Sequence, residues 1–142
     1  MDHYKNQELT VTIEDLSDNG EGIGRSDGYI LFVKDAFPKD TVRVKLTKVK
    51  KNYAYARCEE IIEASPDRTE PACPDHRRCG GCQIQAMSYE SQLSFKENKI
   101  RNDLVSIGGI PKEEVDKIFE PIIALEEPFR YRNKSQYPIG FS

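Results

Sequence analysis

The chain has 142 residues, of which 37% are apolar and 32% charged, and its formal net charge is −3. This composition fits one domain, or a small domain with an extension, built on one modest core. Apolar runs such as Ile30-Leu31-Phe32-Val33 are too short to cross a bilayer and none follows Met1 closely, which argues against a membrane helix or secretory signal and points to a cytoplasmic protein, while a net charge this near zero excludes a global attraction to polyanions.

The charge is unevenly placed. Residues 1–38 carry eight acidic side chains against three basic ones, whereas residues 39–57 carry Lys39, Arg43, Lys45, Lys48, Lys50, Lys51 and Arg57 against Asp40 alone. A stripe of this kind can neutralise phosphates locally, or it can be the solvated face of an alternating strand.

In chain order, residues 8–15 alternate polar and apolar, as a half-buried strand does. Gly20, Gly22, Gly24 and Gly28 predict a flexible, turn-rich segment, and residues 29–33 a short apolar strand. Pro38-Lys39-Asp40 predicts a turn. Thr41 to Val49 alternates again, with Val42, Val44 and Leu46 on one face and Arg43, Lys45 and Thr47 on the other. After a hairpin turn at Lys51-Asn52, residues 53–62 form a further strand with Ala54, Ala56, Cys58 and Ile62 in register. The fold class expected is mainly β: residues 1–65 form a small antiparallel barrel of the OB type with a basic face from 41–49 and 53–57.

Residues 66–87 are expected to be a linker and a cysteine loop, because Ser65-Pro66-Asp67-Arg68 and Pro71 break the strand pattern. Ser88 is placed to cap a helix whose apolar stripe, Leu93, Ile100, Leu104 and Ile107 with Phe95 and Val105 beside it, predicts core packing. Gly108-Gly109 end that helix and Pro111 starts a short second one. Residues 129–141 read as an extended strand or hairpin. Residues 88–142 look like the α+β opening of a larger central domain, truncated at Ser142.

The most specific chemistry lies in Cys73-Pro-Asp-His-Arg-Arg-Cys79-Gly-Gly-Cys82, which holds three of the four cysteines at the spacing Cys-x5-Cys-x2-Cys. Thiolates so close repel one another unless a soft metal neutralises them, and zinc or an iron–sulfur cluster takes four ligands. The fourth ligand is open among His76, Cys58 and a residue beyond Ser142. Cys58 shares a strand face with alanines, which reads as a buried core thiol; His76 lies in a polar loop, which reads as an exposed histidine. A nucleophilic role for Cys79 or Cys82 lacks any nearby base but His76. Gly22-Ile23-Gly24 lacks the strand-to-helix context of a dinucleotide loop.

Taken together, Gly20–Gly24, Ile30–Val33, Ala36-Phe37-Pro38 and Thr41–Lys45 resemble a TRAM domain, an OB-like RNA-binding module. Ser65–Arg68, Pro71-Ala72-Cys73 and Cys79-Gly80-Gly81-Cys82-Gln83 resemble the iron–sulfur motif of the RNA uracil-5-methyltransferases, and Phe129–Lys134 resembles the strand that opens their central region. The resemblance implies an S-adenosylmethionine-dependent methyltransferase acting on uridine C5 of RNA, by analogy ribosomal RNA. It maps Cys73, Cys79 and Cys82 onto ligands of a 4Fe-4S cluster whose fourth ligand lies past Ser142. It maps no residue onto the catalytic cysteine, the base or the methyl-donor loop, so this stretch alone is expected to be inactive. RNA-contact candidates are then Arg43, Lys45, Lys48, Lys50, Lys51 and Tyr53 on the barrel, with Arg130, Arg132 and Lys134 near the C-terminus, where Phe129, Tyr131 and Tyr137 could equally be core residues of a central sheet. The alternatives are a zinc-bearing RNA-binding module using Cys73, His76, Cys79 and Cys82, and a redox adaptor using Cys79 and Cys82.

Overall fold

A computed structural model describes residues 3–140; the outer boundaries expected for the barrel at residue 1 and for the central domain at residue 142 lie outside the described residues. Five strands, β1 (Glu8–Leu16), β2 (Gly22–Ser26), β3 (Tyr29–Lys34), β4 (Thr41–Val49) and β5 (Tyr53–Glu63), close into a barrel in the order β1-β2-β3-β5-β4. Four of the pairings are antiparallel, and β3 pairs with β5 in parallel, so the barrel is not wholly antiparallel as expected. Alternation turns Val11, Ile13, Leu31, Val33, Val42, Val44, Leu46, Ala54 and Ala56 inward to a single buried core.

Two local features depart from the sequence reading. Residues 22–26 are a strand, and its glycines serve close packing instead of flexibility: a Cβ on Gly22 would stand 2.5 Å from the Ala36 carbonyl oxygen, and one on Gly24 would stand 3.1 Å from Val11. In β5 the register shifts against β4, with Val44 opposite Cys58, Arg43 opposite Glu60 and Val42 opposite Ile61. An irregularity of one residue reverses the faces beyond it, so Ile61 packs on the core and Ile62 is exposed.

The segment after β5 is docked to the barrel rather than a free linker. Asp40 is fully buried; its carboxylate accepts from the Phe37 and Ser65 amides at 2.7 Å each and from Arg68 Nη2 at 2.7 Å and Nε at 3.2 Å. The Arg68 guanidinium also donates to the Asp35 carbonyl at 2.9 Å and lies over the Phe37 ring. A second apolar cluster of Leu16, Phe37, Ala86 and Met87, with Ile84 and Phe95 against it, joins the barrel end to the chain beyond the cysteine loop.

Three helices follow: α1 (His76–Cys79), α2 (Tyr89–Ser106) and α3 (Lys112–Ile118). Ser88 caps α2 as expected, its Oγ accepting from the Ser91 amide. The α2 stripe does not form a core: no residue of α2 is fully buried, and Ile100 and Ile107 are 50% and 84% exposed. Arg101 ties α2 to α3 through Asp116 at 2.9 Å and covers the Phe119 ring. Residues 119–140 hold no strand, contrary to the expectation for 129–141, because no sheet edge among the described residues offers them a ladder.

Candidate nucleic-acid interface and cysteine loop

The parallel β3–β5 pairing sets Ile30 opposite Tyr53 and Phe32 opposite Tyr55, and all four face outward because Leu31, Val33, Ala54 and Ala56 face in. Phe32, Tyr53 and Tyr55 form a triangle of rings with centroids 5.7 to 5.8 Å apart. The cluster places partly exposed aromatic surface on the barrel's outer wall, with Tyr55 37% exposed. Lys48 lies across from Tyr55 on β4, and Lys50 and Lys51 stand in the turn beside Tyr53. Tyr29 Oη lies 2.7 Å from the carbonyl oxygens of both Lys50 and Tyr53 and pins that turn.

The basic candidates separate into two groups. Arg43 lies 2.8 Å from Glu60 and Lys45 4.0 Å from Glu8, so a carboxylate stands beside each of these exposed charges. Lys48, Lys50 and Lys51 have no carboxylate partner among the described residues. Of the aromatic members the sequence alone points only to Tyr53. It does not single out Phe32 or Tyr55, and Phe32 escapes because it sits in a run that reads as uniformly apolar; strict inside–outside alternation is the signal that could find it.

The cysteine loop is held at both ends. Thr69 N–H donates to the Ala86 carbonyl at 2.8 Å, Arg68 and Met87 form a bridge, and Gly20 abuts Gln83 and Ile84 so closely that a Cβ would stand 2.9 Å from Gln83. Cys73 N–H donates to Gln85 Oε1, and α1 ends at Gly80 in the left-handed conformation at φ +70°. Cys73 is half-buried while Cys79 and Cys82 are exposed, and among the described residues no three His, Cys, Asp or Glu side chains stand together as a metal-binding group. The donor set itself suits a soft metal: three thiols on a short tethered loop, and between them His76, which is only 6% exposed and whose Nδ1 has no hydrogen-bond partner among the described residues. His76 is therefore buried, not exposed as its polar neighbours suggest, because α1 turns it toward the barrel side, where it lines a cavity with Arg68, Ser65 and Cys73. Cys58 packs against the barrel core; burial pushes its thiol above the ordinary range, partly offset by Arg68 and Arg77, which makes it a poor thiolate donor.

Arg130, Arg132 and Lys134 lie on irregular chain, with Arg130 at φ +59°. Phe129 and Tyr131 beside them are 48% and 62% exposed, so here they are surface groups and not sheet core. No helix among the described residues is long and apolar enough to cross a membrane.

Residues 2–58, which supply most of this closed barrel, match the TRAM domain family. Over 96% of its length the chain is 44% identical to a Listeria innocua protein and 46% identical to a Halalkalibacterium halodurans protein, each named an uncharacterized RNA methyltransferase. A Clostridium acetobutylicum protein of the same name is 45% identical over 136 residues. The chain spans 29% of the length of each of these relatives. A solved structure of a conserved Methanococcus maripaludis protein is 38% identical where it aligns, with a TM-score of 0.38, over 40% of this chain and 81% of that one. Over nearly all of its length the chain is therefore similar to one part of proteins that carry this name.

Proposed function

We propose that this chain is the RNA-binding and 4Fe-4S-binding part of an S-adenosylmethionine-dependent RNA uracil-C5 methyltransferase of the cytoplasm, with ribosomal RNA as its substrate. The observation that carries the RNA side is the Phe32–Tyr53–Tyr55 platform flanked by Lys48, Lys50 and Lys51 on a TRAM barrel. Outward, partly exposed rings can stack on unstacked bases and unpaired ammonium groups can bind phosphates, which is the chemistry single-stranded RNA needs. The name carried by the relatives supports the methyl-transfer side. No residue of this chain is assigned a catalytic or methyl-donor role; those belong to parts of the full protein outside this sequence.

Cys73, Cys79 and Cys82 would hold the cluster, with a fourth ligand from outside this sequence. The group would draw the three thiolates together and so order the loop. The residues of the loop supply the rest: Gly80 and Gly81 allow the bend, and the Gln85 amide side chain holds Cys73 in place. Iron and sulfide analysis with visible absorption of anaerobically prepared protein tests the assignment, and one zinc per chain without sulfide would refute it.

The buried, unpartnered Nδ1 of His76 favours a second reading, a zinc site of Cys73, His76, Cys79 and Cys82. His76→Ala separates the two. Zinc retention collapses under the second reading, and iron content is unchanged under the first.

A further inference from the structure

We infer that a second RNA site, a pocket for one unpaired nucleotide, lies between the cysteine loop, the start of α2 and the 128–132 segment, and that it selects bases carrying an amino group. The inference rests on the RNA-binding reading above and adds a subsite distinct from the barrel platform. A cavity of about 550 Å³ opens there, within the range of small-ligand pockets. Its walls bring together groups far apart in sequence: Phe129 and Tyr131, both partly exposed rings; Arg132 and Lys96, neither in a salt bridge among the described residues; and Gln83 and Gln92. Glu70 is the one carboxylate in the wall.

The two glutamines decide the selectivity. Gln83 Nε2 donates to the Gly80 carbonyl at 3.3 Å and Gln92 Nε2 to the Met87 carbonyl at 3.0 Å. A carbonyl acceptor demands the N–H₂ end of the amide, so both orientations are set and each Oε1 is left without a protein partner among the described residues. Two free acceptors in one pocket favour a base edge rich in N–H, such as the amino-bearing edges of adenine, cytosine or guanine, over uracil, whose edge offers one donor between two acceptors. The rings supply stacking surfaces, and Lys96 with Arg132 supplies cations for a flanking phosphate. Lys96 and the glutamines carry no signal as isolated residues in the sequence; only the fold assembles them.

Fluorescence anisotropy with unstructured RNA of about eight nucleotides tests the pocket, an oligomer length within the site size of such modules. Phe129→Ala with Tyr131→Ala should weaken binding of an adenine-containing oligomer about tenfold, in line with the loss of base stacking. Gln83→Leu together with Gln92→Leu should erase the preference of that oligomer over oligouridine while leaving oligouridine binding unchanged. The affected rings are surface groups, and an unchanged circular-dichroism melt confirms folding of each variant. Binding that persists without the two rings but is lost on charge reversal of Lys48, Lys50 and Lys51 overturns the pocket and leaves the barrel reading standing. Absence of RNA binding by the unaltered protein overturns both. Adenosine monophosphate displacing the oligomer at equimolar concentration would make this a free-nucleotide site and overturn its assignment to RNA.

Discussion

The Asp40–Arg68 pair fastens the segment after β5 to the barrel. The carboxylate is fully buried and its four hydrogen bonds come from two backbone amides and one guanidinium, so removal of the guanidinium leaves an under-compensated charge in the interior. Breaking a buried pair in this way costs about 3–5 kcal/mol. Arg68→Ala is therefore expected to lower the unfolding free energy from urea titrations by that amount, and a loss below about 1 kcal/mol would mean that the pair does not bolt the segment to the barrel. Gly22 gives a second test at this scale. Gly22→Ala drives a methyl against the Ala36 carbonyl, where nothing flexible can yield, and should cost about 1–3 kcal/mol as an overpacked site does. Gly28→Ala meets nothing within 4 Å and bears only the strain of φ +82°, about 1–2 kcal/mol. Thermal melts of the two variants rank them. Cys58 adds a pH dependence. Burial makes its folded thiol titrate higher than the unfolded one, so its contribution to stability is intact below the unfolded thiol's titration, and the folded state keeps the neutral thiol above it. By linkage the unfolded state loses its proton first, so this group's contribution declines as pH rises from there through the folded titration. Cys58→Ala should flatten that alkaline decline in a pH series of urea midpoints.

Among the elements, strands with clean alternation are legible: the Thr41–Val49 strand stands where periodicity puts it, and Ser88 caps α2 because its hydroxyl is placed one turn from the Ser91 amide. What stays hidden depends on partners remote in sequence. β2 hides behind glycines whose purpose, clearance for Ala36 and Val11, exists only once β1 and the 35–40 turn are in place. The face of Ile61 and Ile62 follows from an irregular pairing with β4 that no local pattern announces. The aromatic platform needs the parallel β3–β5 register, and the barrel's free positive charge is visible only after Arg43 and Lys45 are subtracted. That subtraction gives an expected outcome. Each phosphate neutralised on a single strand contributes about 0.7 to the slope of log affinity against log salt. Reversing Lys48, Lys50 and Lys51 together should lower the slope by about 2, whereas reversing Arg43 should change it little, measured by anisotropy titrations at several salt concentrations. Equal effects from both variants would show that pairing with Glu60 does not withhold Arg43 from RNA.

At the scale of the whole molecule, the barrel, the 84–87 segment and α2 share an apolar cluster, and Lys99 reaches Asp18 at 3.2 Å from helix to barrel loop. The cysteine loop is the exception: its ends are fixed, yet Arg77, Arg78, Cys79, Gly80, Gly81 and Cys82 are all exposed and the three sulfurs do not stand as one group. A loop that must draw three thiolates onto one centre exchanges conformational freedom for ligand bonds, so metal binding and loop order are a single equilibrium. Trypsin reads that equilibrium directly, because Arg77 and Arg78 lie within the loop and cleavage requires the chain to open into the protease. Loading with iron and sulfide under argon is expected to slow cleavage at these two arginines at least about tenfold, with cleavage in the barrel unaffected. Replacing Cys79 and Cys82 by serine should abolish the protection. His76→Ala should preserve it if the cluster draws its fourth ligand from elsewhere, whereas zinc-dependent protection that vanishes in His76→Ala would identify the loop as a Cys3His site. Equal digestion rates with and without either metal, in protein whose barrel remains intact, would mean that these thiols act separately.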